Sequence, residues 1–164
     1  SSDIPRIATG ISELDQVLGG GIVPGSLILI GGEPGIGKST IILQIALRLA
    51  QQQHTILYAS GEESGQQIKM RLDRLSTSPE VAKQILYIGE TNTEKICASI
   101  VEHKPRLAIV DSIQTIHSMD INSEAGSITQ VRASTIKLLE MAKKHHIPVI
   151  IVGHVTKEGM VAGT

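Results

Sequence analysis

The segment Gly32-Glu33-Pro34-Gly35-Ile36-Gly37-Lys38-Ser39 limits what this chain can fold into more than any other stretch. A Gly, four residues, then Gly-Lys-Ser is the phosphate-loop pattern. Its flanks suit it. The apolar run Ser26-Leu27-Ile28-Leu29-Ile30-Gly31 reads as a buried strand leading in, and Ser39 to Ala50 reads as a helix leading out. Strand, glycine loop and helix in that order are the opening unit of an α/β nucleotide-binding fold.

Each residue type in the loop has a physical reason. Triphosphate oxygens pack several negative charges within a few ångströms. Backbone N–H groups can surround them only where no side chain intrudes, hence Gly32, Gly35 and Gly37. Glu33, Pro34, Ile36 and Thr40 complete the segment expected to wrap the phosphates. The helix starting near Lys38 turns its unpaired N–H groups and positive dipole end toward them. Lys38 is expected to bring a full charge to the β and γ phosphates, and the Ser39 hydroxyl to ligate Mg²⁺. ATP or ADP with Mg²⁺ is the ligand this pattern calls for.

At 164 residues, one domain covering 1–164 is expected. Its core has to be aliphatic, because the chain has no Trp or Phe and its only tyrosines are Tyr58 and Tyr87. The net charge of −1 gives no global basic footprint for nucleic acid, which leaves local contacts through loops. Cys97 is the single cysteine, so neither an intrachain disulfide nor a cysteine-rich zinc site is expected. No stretch reaches the roughly 18 apolar residues of a membrane span, and no signal peptide is recognisable. A cytoplasmic location without membrane contact is the expectation.

Five apolar runs read as strands: 26–31, 55–60, 84–88, 106–111 and 148–154. Helical stretches separate them, which implies crossovers and a parallel sheet buried on both faces. Ile68, Leu72 and Leu75 share one face of a helix beginning near Ser64. Val131, Leu138, Leu139 and Ala142 do so within 128–146. Ser12 reads as the cap of a short first helix that Gly19-Gly20-Gly21 ends. Residues 113–127 are polar and mixed, and read as a mobile loop.

Hydrolysis needs more than a phosphate loop. Leu107-Ala108-Ile109-Val110-Asp111 is four apolar residues ending in a carboxylate, the Walker B pattern, which places Asp111 at a strand end facing the Mg²⁺ shell. Gly61-Glu62-Glu63-Ser64 follows the second strand, on the sheet edge where ligands bind. A carboxylate there can orient and deprotonate the attacking water. Glu62 is the first choice because it lies nearer the strand end, with Glu63 as the alternative. His154 ends the fifth strand, where it can sense the nucleotide and pass its state to the loop beginning at Val155. The His145-His146 pair reads as a solvated helix end.

Together these residues resemble the RecA-like P-loop ATPases, and within them the ATPase core of the bacterial RadA (Sms) DNA-repair family. Besides the phosphate loop, the resemblance rests on 5–15, 17–26, Ser60-Gly61-Glu62-Glu63-Ser64, Val110-Asp111-Ser112-Ile113-Gln114-Thr115 and Val152-Gly153-His154-Val155-Thr156-Lys157-Glu158-Gly159. It implies a mostly parallel sheet in the order 3-2-4-5-1 with helices on both faces. It also implies a DNA-dependent ATPase acting on branched recombination intermediates as a hexameric ring, with loops 113–130 and 155–164 lining the DNA channel. That family carries a four-cysteine zinc module, a Lys-Asn-Arg-Phe-Gly motif and a Lon-protease-like domain, none of which is in these residues. An excised ATPase core, weakly active alone, is the expectation. Two other classes fit the motifs: a KaiC-like ATPase or phosphotransferase, and a nucleotide-gated assembly module without turnover. A small-molecule kinase fits less well, as neither a lid nor a substrate acid–base group is evident.

Overall fold

The run Ile56-Leu57-Tyr58-Ala59-Ser60 is buried at every position, and alternate side chains enter two different cores. That is the behaviour of a central strand with helices on both faces. It sets the architecture of the computed structural model, which describes residues 5–32, 37–75 and 78–154. The strands are β1 (Leu27–Gly32), β2 (Ile56–Ser60), β3 (Ile85–Ile88), β4 (Leu107–Asp111) and β5 (Val149–His154). All pairings are parallel, in the order β1-β5-β4-β2-β3. Read from the other edge this is 3-2-4-5-1, the expected order.

The helices are α1 (Ser12–Val17), α2 (Lys38–Gln51), α3 (Gly65–Arg74), α4 (Pro79–Ala82), α5 (Thr93–His103) and α6 (Ile128–His145). On one face of the sheet, Ile42, Leu43, Ile45 and Leu49 of α2 and Ile68 and Leu72 of α3 pack against Ile56, Tyr58, Ile109 and Val152. On the other, Ile96 and Ile100 of α5 and Val131, Leu138 and Ala142 of α6 pack against Leu57, Ala59, Val110 and Ile151. Each fully buried aliphatic side chain contributes about 1.5–3 kcal/mol. With no large aromatic rings, close interdigitation of branched side chains fills both cores.

Three local expectations need correction. The first strand is not fully buried: β1 pairs only with β5, and Leu29 is 49% exposed. A one-sided edge strand reads like a buried one because both are continuous apolar runs. Ser12 does not cap α1. Ile11 holds the N-cap position without a side-chain bond, and Ser12 is the first helical residue. The turn is instead tied by Asp15, whose Oδ1 accepts the Thr9 N–H at 2.9 Å and the Thr9 hydroxyl at 2.7 Å. The segment 113–127 is anchored, since Ile113, Ile116 and Ser118 are buried. The buried Gln130 side chain accepts from Ser118 N–H at 2.8 Å and donates to the carbonyls of Ser118, Ile121 and Ser123. Its polarity is spent on internal hydrogen bonds, a use that composition does not separate from solvation.

Candidate functional site

The carboxyl ends of β1, β5, β4 and β2 lie side by side: Gly32 pairs with His154, Asp111 with Val152, and Ser60 with Asp111. Chemistry carried by residues far apart in sequence thus meets at one sheet edge, the usual ligand crevice of an open α/β sheet. Gly37 opens α2 in a left-handed conformation at φ 59°, which glycine takes without strain. It offers no capping side chain, and the first turn of α2 holds no acid. The helix therefore presents N–H groups and a positive dipole end that no side chain of its own satisfies.

Lys38, in that first turn, is buried at 8% exposure. Its ammonium donates to Gly32 O at 3.0 Å, Gly153 O at 2.8 Å and His154 Nδ1 at 3.0 Å. Burial pulls its pKa down, opposed by the charges of Asp111 and Glu62. An ammonium has no acceptor, so Nδ1 of His154 must accept. The imidazole proton is then on Nε2, which lies 3.3 Å from Glu62 Oε1. The contact is a hydrogen bond from a neutral ring rather than an ion pair, and it links Lys38, His154 and Glu62 in a chain. Gln114 fixes the base of that chain: its Oε1 accepts the His154 N–H at 3.2 Å and its Nε2 donates to His154 O at 3.4 Å.

Asp111 is 5% exposed, and its Oδ2 accepts the hydroxyl of the fully buried Tyr58 at 2.9 Å. Burial holds the Asp111 carboxyl above its usual range, and the charges of Glu62 and Glu63 add to this, while the hydrogen bond from Tyr58 pulls the other way. Burial next to that carboxylate drives the Tyr58 phenol pKa strongly upward, so the phenol is a permanent donor. Donor atoms of Glu62, Asp111 and His154 all lie within 4.8 Å of one another. Two carboxylates, Glu62 and Asp111, face the one ammonium of Lys38, which leaves a deficit of positive charge, and the hard oxygen of Asp111 suits a divalent cation there.

The two glutamates are held differently. Ser60 Oγ accepts from the backbone N–H of both, at 3.1 Å and 3.0 Å. Gly61 lets the turn pass tightly, since a Cβ there would lie 2.5 Å from Thr91 Cγ2. Glu62 then faces His154 and the crevice. Glu63 turns away to Arg71 at 2.5 Å, and its carbonyl accepts the Tyr87 hydroxyl. Ser64 closes the turn as the N-cap of α3, in a reciprocal capping box with Gln67.

The structure thus brings Gly32, Gly37, Lys38, Glu62, Asp111 and His154 together and sets Glu63 apart. Ser39 and Thr40 lie in the first turn of α2. Glu33, Pro34, Gly35 and Ile36 lie outside the described residues, as do 155–164 with Lys157. The sequence reading missed Tyr58, Gln114 and Arg71. Tyr58 had a signal: it lies two residues before Ser60 on the same strand face, and Ser60 pairs with Asp111.

Sheet order and crevice define a RecA-like P-loop nucleotide-binding core. The chain belongs to the AAA domain family AAA_25, whose sequence profile matches residues 1–160. It is 48% identical over 163 residues to the DNA repair protein RadA of Bacillus subtilis, covering 99% of this chain and 35% of that protein. It is 52% identical over 158 residues to the protein of the same name from Streptococcus pyogenes serotype M3, covering 96% of this chain and 34% of the relative. The Streptococcus pneumoniae protein is 48% identical over 163 residues, covering 99% and 38%. The chain spans about a third of the length of these curated relatives.

Proposed function

We propose that this chain is the ATP-hydrolysing core of a DNA-repair motor acting on recombination intermediates. The observation that carries the reading is the meeting of Lys38, Asp111, Glu62 and His154 at one sheet edge, beside the N-terminus of α2, which has no side-chain cap and no acid in its first turn. The likeness to RadA supports the DNA-repair assignment. Lys38 and the α2 amides hold the phosphates. Ser39 and Asp111 hold Mg²⁺, which neutralises charge developing on the phosphoryl oxygens. Glu62 orients the attacking water and takes its proton. His154 reports occupancy: when phosphate draws the Lys38 ammonium away, Nδ1 loses its donor and the bond to Glu62 changes with it. ATP turnover by the longer protein containing this chain, with and without single-stranded DNA, tests the whole reading. The expected outcome is turnover that rises with DNA; autophosphorylation or binding without turnover would replace it.

Tyr58 positions Asp111 in this scheme. Tyr58→Phe removes the side-chain hydrogen bond that, among the described residues, holds Oδ2, and weakens the hold on a buried acceptor at a cost of about 1–3 kcal/mol. It also raises the Asp111 pKa further, because the bond that lowers it is gone. The Mg²⁺ concentration giving half-maximal nucleotide binding should rise severalfold. An unchanged Mg²⁺ titration would remove Tyr58 from the site.

DNA contact falls to the loops after β4 and after β5, with the exposed Arg132 of α6 beside the first. Each copy brings little charge, so one chain should bind DNA weakly. A ring, proposed as a hexamer, would place many copies along one strand and gain avidity. Binding by the longer oligomer should fall steeply as salt rises. Anisotropy titrations at several salt concentrations check this; tight, salt-insensitive binding by the monomeric chain would contradict it.

A further inference from the structure

We infer that the sheet end opposite the nucleotide crevice carries a second contact site, for the phosphodiester backbone of a DNA strand. The inference rests on the DNA-acting reading above and deepens it. A cavity of about 590 Å³ opens there, where β2, β4 and β5 begin and where α2, α5 and α6 end. It is lined by Lys104, Arg106 and Lys144 together with His54, His145 and His146, and among the described residues by no carboxylate. Three fixed cations thus share one cavity in a chain whose net charge is −1. Strands of five or six residues set it about 17–20 Å from the nucleotide crevice, so occupancy of one site does not obstruct the other.

Cations also gather near helix ends simply to meet the last carbonyls, and two observations set this cavity apart. The first is how the helix ends are closed. Backbone N–H groups do it: Gln53 N–H bonds Ala50 O at 2.9 Å, Lys104 N–H bonds Ile100 O at 2.9 Å, and Ile147 N–H bonds Ala142 O at 3.1 Å. The ammonium and guanidinium groups of Lys104, Arg106 and Lys144 are left without a hydrogen bond or ion pair among the described residues.

The second observation is conformational. Among the described residues, the non-glycine residues with positive φ are Gln53 at 67°, Lys104 at 48° and His146 at 57°. All three line this cavity. Glycine takes the left-handed conformation without strain and is the usual residue at such helix ends. Three helix ends here keep long polar or cationic side chains instead, and one of them, Lys104, supplies a cation of the cavity. Local backbone strain concentrated at one place points to a use for the side chains that cause it.

The cations come from separate elements, which suits successive phosphates along a strand better than one compact anion. Lysine and arginine charges on separate elements address phosphates rather than base edges, so the contact positions a strand and carries little sequence preference.

The test is an amide-resolved NMR titration of the ¹⁵N-labelled chain with a short single-stranded oligonucleotide at low salt. Sodium phosphate matched in phosphate concentration is run in parallel. The variants are Arg106→Gln/Lys144→Gln and Lys104→Gly. Shifts are expected at 53–55, 104–106 and 144–147 and should fade as salt rises. The double variant should bind at least about tenfold more weakly, with a salt slope reduced by roughly 1.4. Lys104→Gly should lose DNA affinity while melting no lower than the parent, because glycine relieves the left-handed strain. This separates binding from folding. Nucleotide-induced shifts near 37–40 should be the same in all forms. DNA shifts confined to 112–132 would overturn the second site and leave the DNA-acting reading standing. No DNA shifts anywhere in the chain at millimolar oligonucleotide would overturn both. Equal shifts from inorganic phosphate would make the cavity a small-anion pocket and overturn the DNA assignment.

Discussion

Lys38→Ala is expected to cut ATP affinity by on the order of 10²-fold or more while the protein stays folded. Hydrogen bonds from a charged donor are worth about 1.5–3 kcal/mol each, and this ammonium is positioned to serve more than one phosphate oxygen. Its present partners, Gly32 O, Gly153 O and His154 Nδ1, show that it already sits across the mouth of the crevice between β1 and β5. Removing it takes a cation out of a site that holds Asp111 and Glu62. The remaining carboxylates would then repel a triphosphate with nothing opposing them except the α2 amides and Mg²⁺. The fold does not depend on it, because the α2 core contacts are made by Ile42, Leu43, Ile45 and Leu49. Calorimetric titration with ATP, paired with a thermal melt, checks both halves. A variant that still binds ATP like the parent would remove the phosphate-loop assignment.

The strand limits were readable to within about a residue at each end, and the reason is physical. A central strand of a parallel sheet covered on both faces is buried at every position, so Leu107-Ala108-Ile109-Val110 stands out as an unbroken apolar run against polar flanks. The places of Asp111 at the end of β4 and of Glu62 just after β2 were readable because an apolar run that stops at a polar residue marks where a strand ends. Other features depend on which strands become neighbours. The contact of Tyr58 with Asp111 exists only because β2 and β4 pair, although 53 positions separate the two residues. The hydrogen bonds of Gln114 to His154 need β5 beside the loop after β4, and no local pattern marks them. The helix Thr93–His103 was visible only as the interval between β3 and β4, although Asn92 caps it through a bond from Lys95 N–H. Ile96 and Ile100 alone give too short an apolar stripe to stand out. The left-handed helix ends at Gln53, Lys104 and His146 were illegible for the opposite reason: sequence signals for such ends look for glycine, and these positions carry side chains instead.

Glu62→Gln is expected to keep nucleotide binding and lower hydrolysis by about 10²–10⁴-fold. The amide can still hold a water molecule but cannot take its proton. Geometry separates this prediction from the neighbouring residue. Glu62 faces the crevice, bonded to the Nε2 proton of a neutral His154, so its remaining carboxylate oxygen is open to a water. Glu63 spends its carboxylate on Arg71, a partly exposed pair worth at most about 1 kcal/mol. Glu63→Gln should therefore lower the melting temperature slightly and leave turnover within a few-fold of the parent. The two variants, measured side by side for ATP affinity and for turnover in the longer DNA-stimulated protein, form an internal control. The position and charge change are nearly the same, and only the direction each side chain faces differs. Loss of hydrolysis in Glu63→Gln with Glu62→Gln unaffected would move the general base to Glu63. It would require the Glu63–Arg71 pair to open when nucleotide binds, which a second variant, Arg71→Ala, would then make easier and detectable as faster turnover.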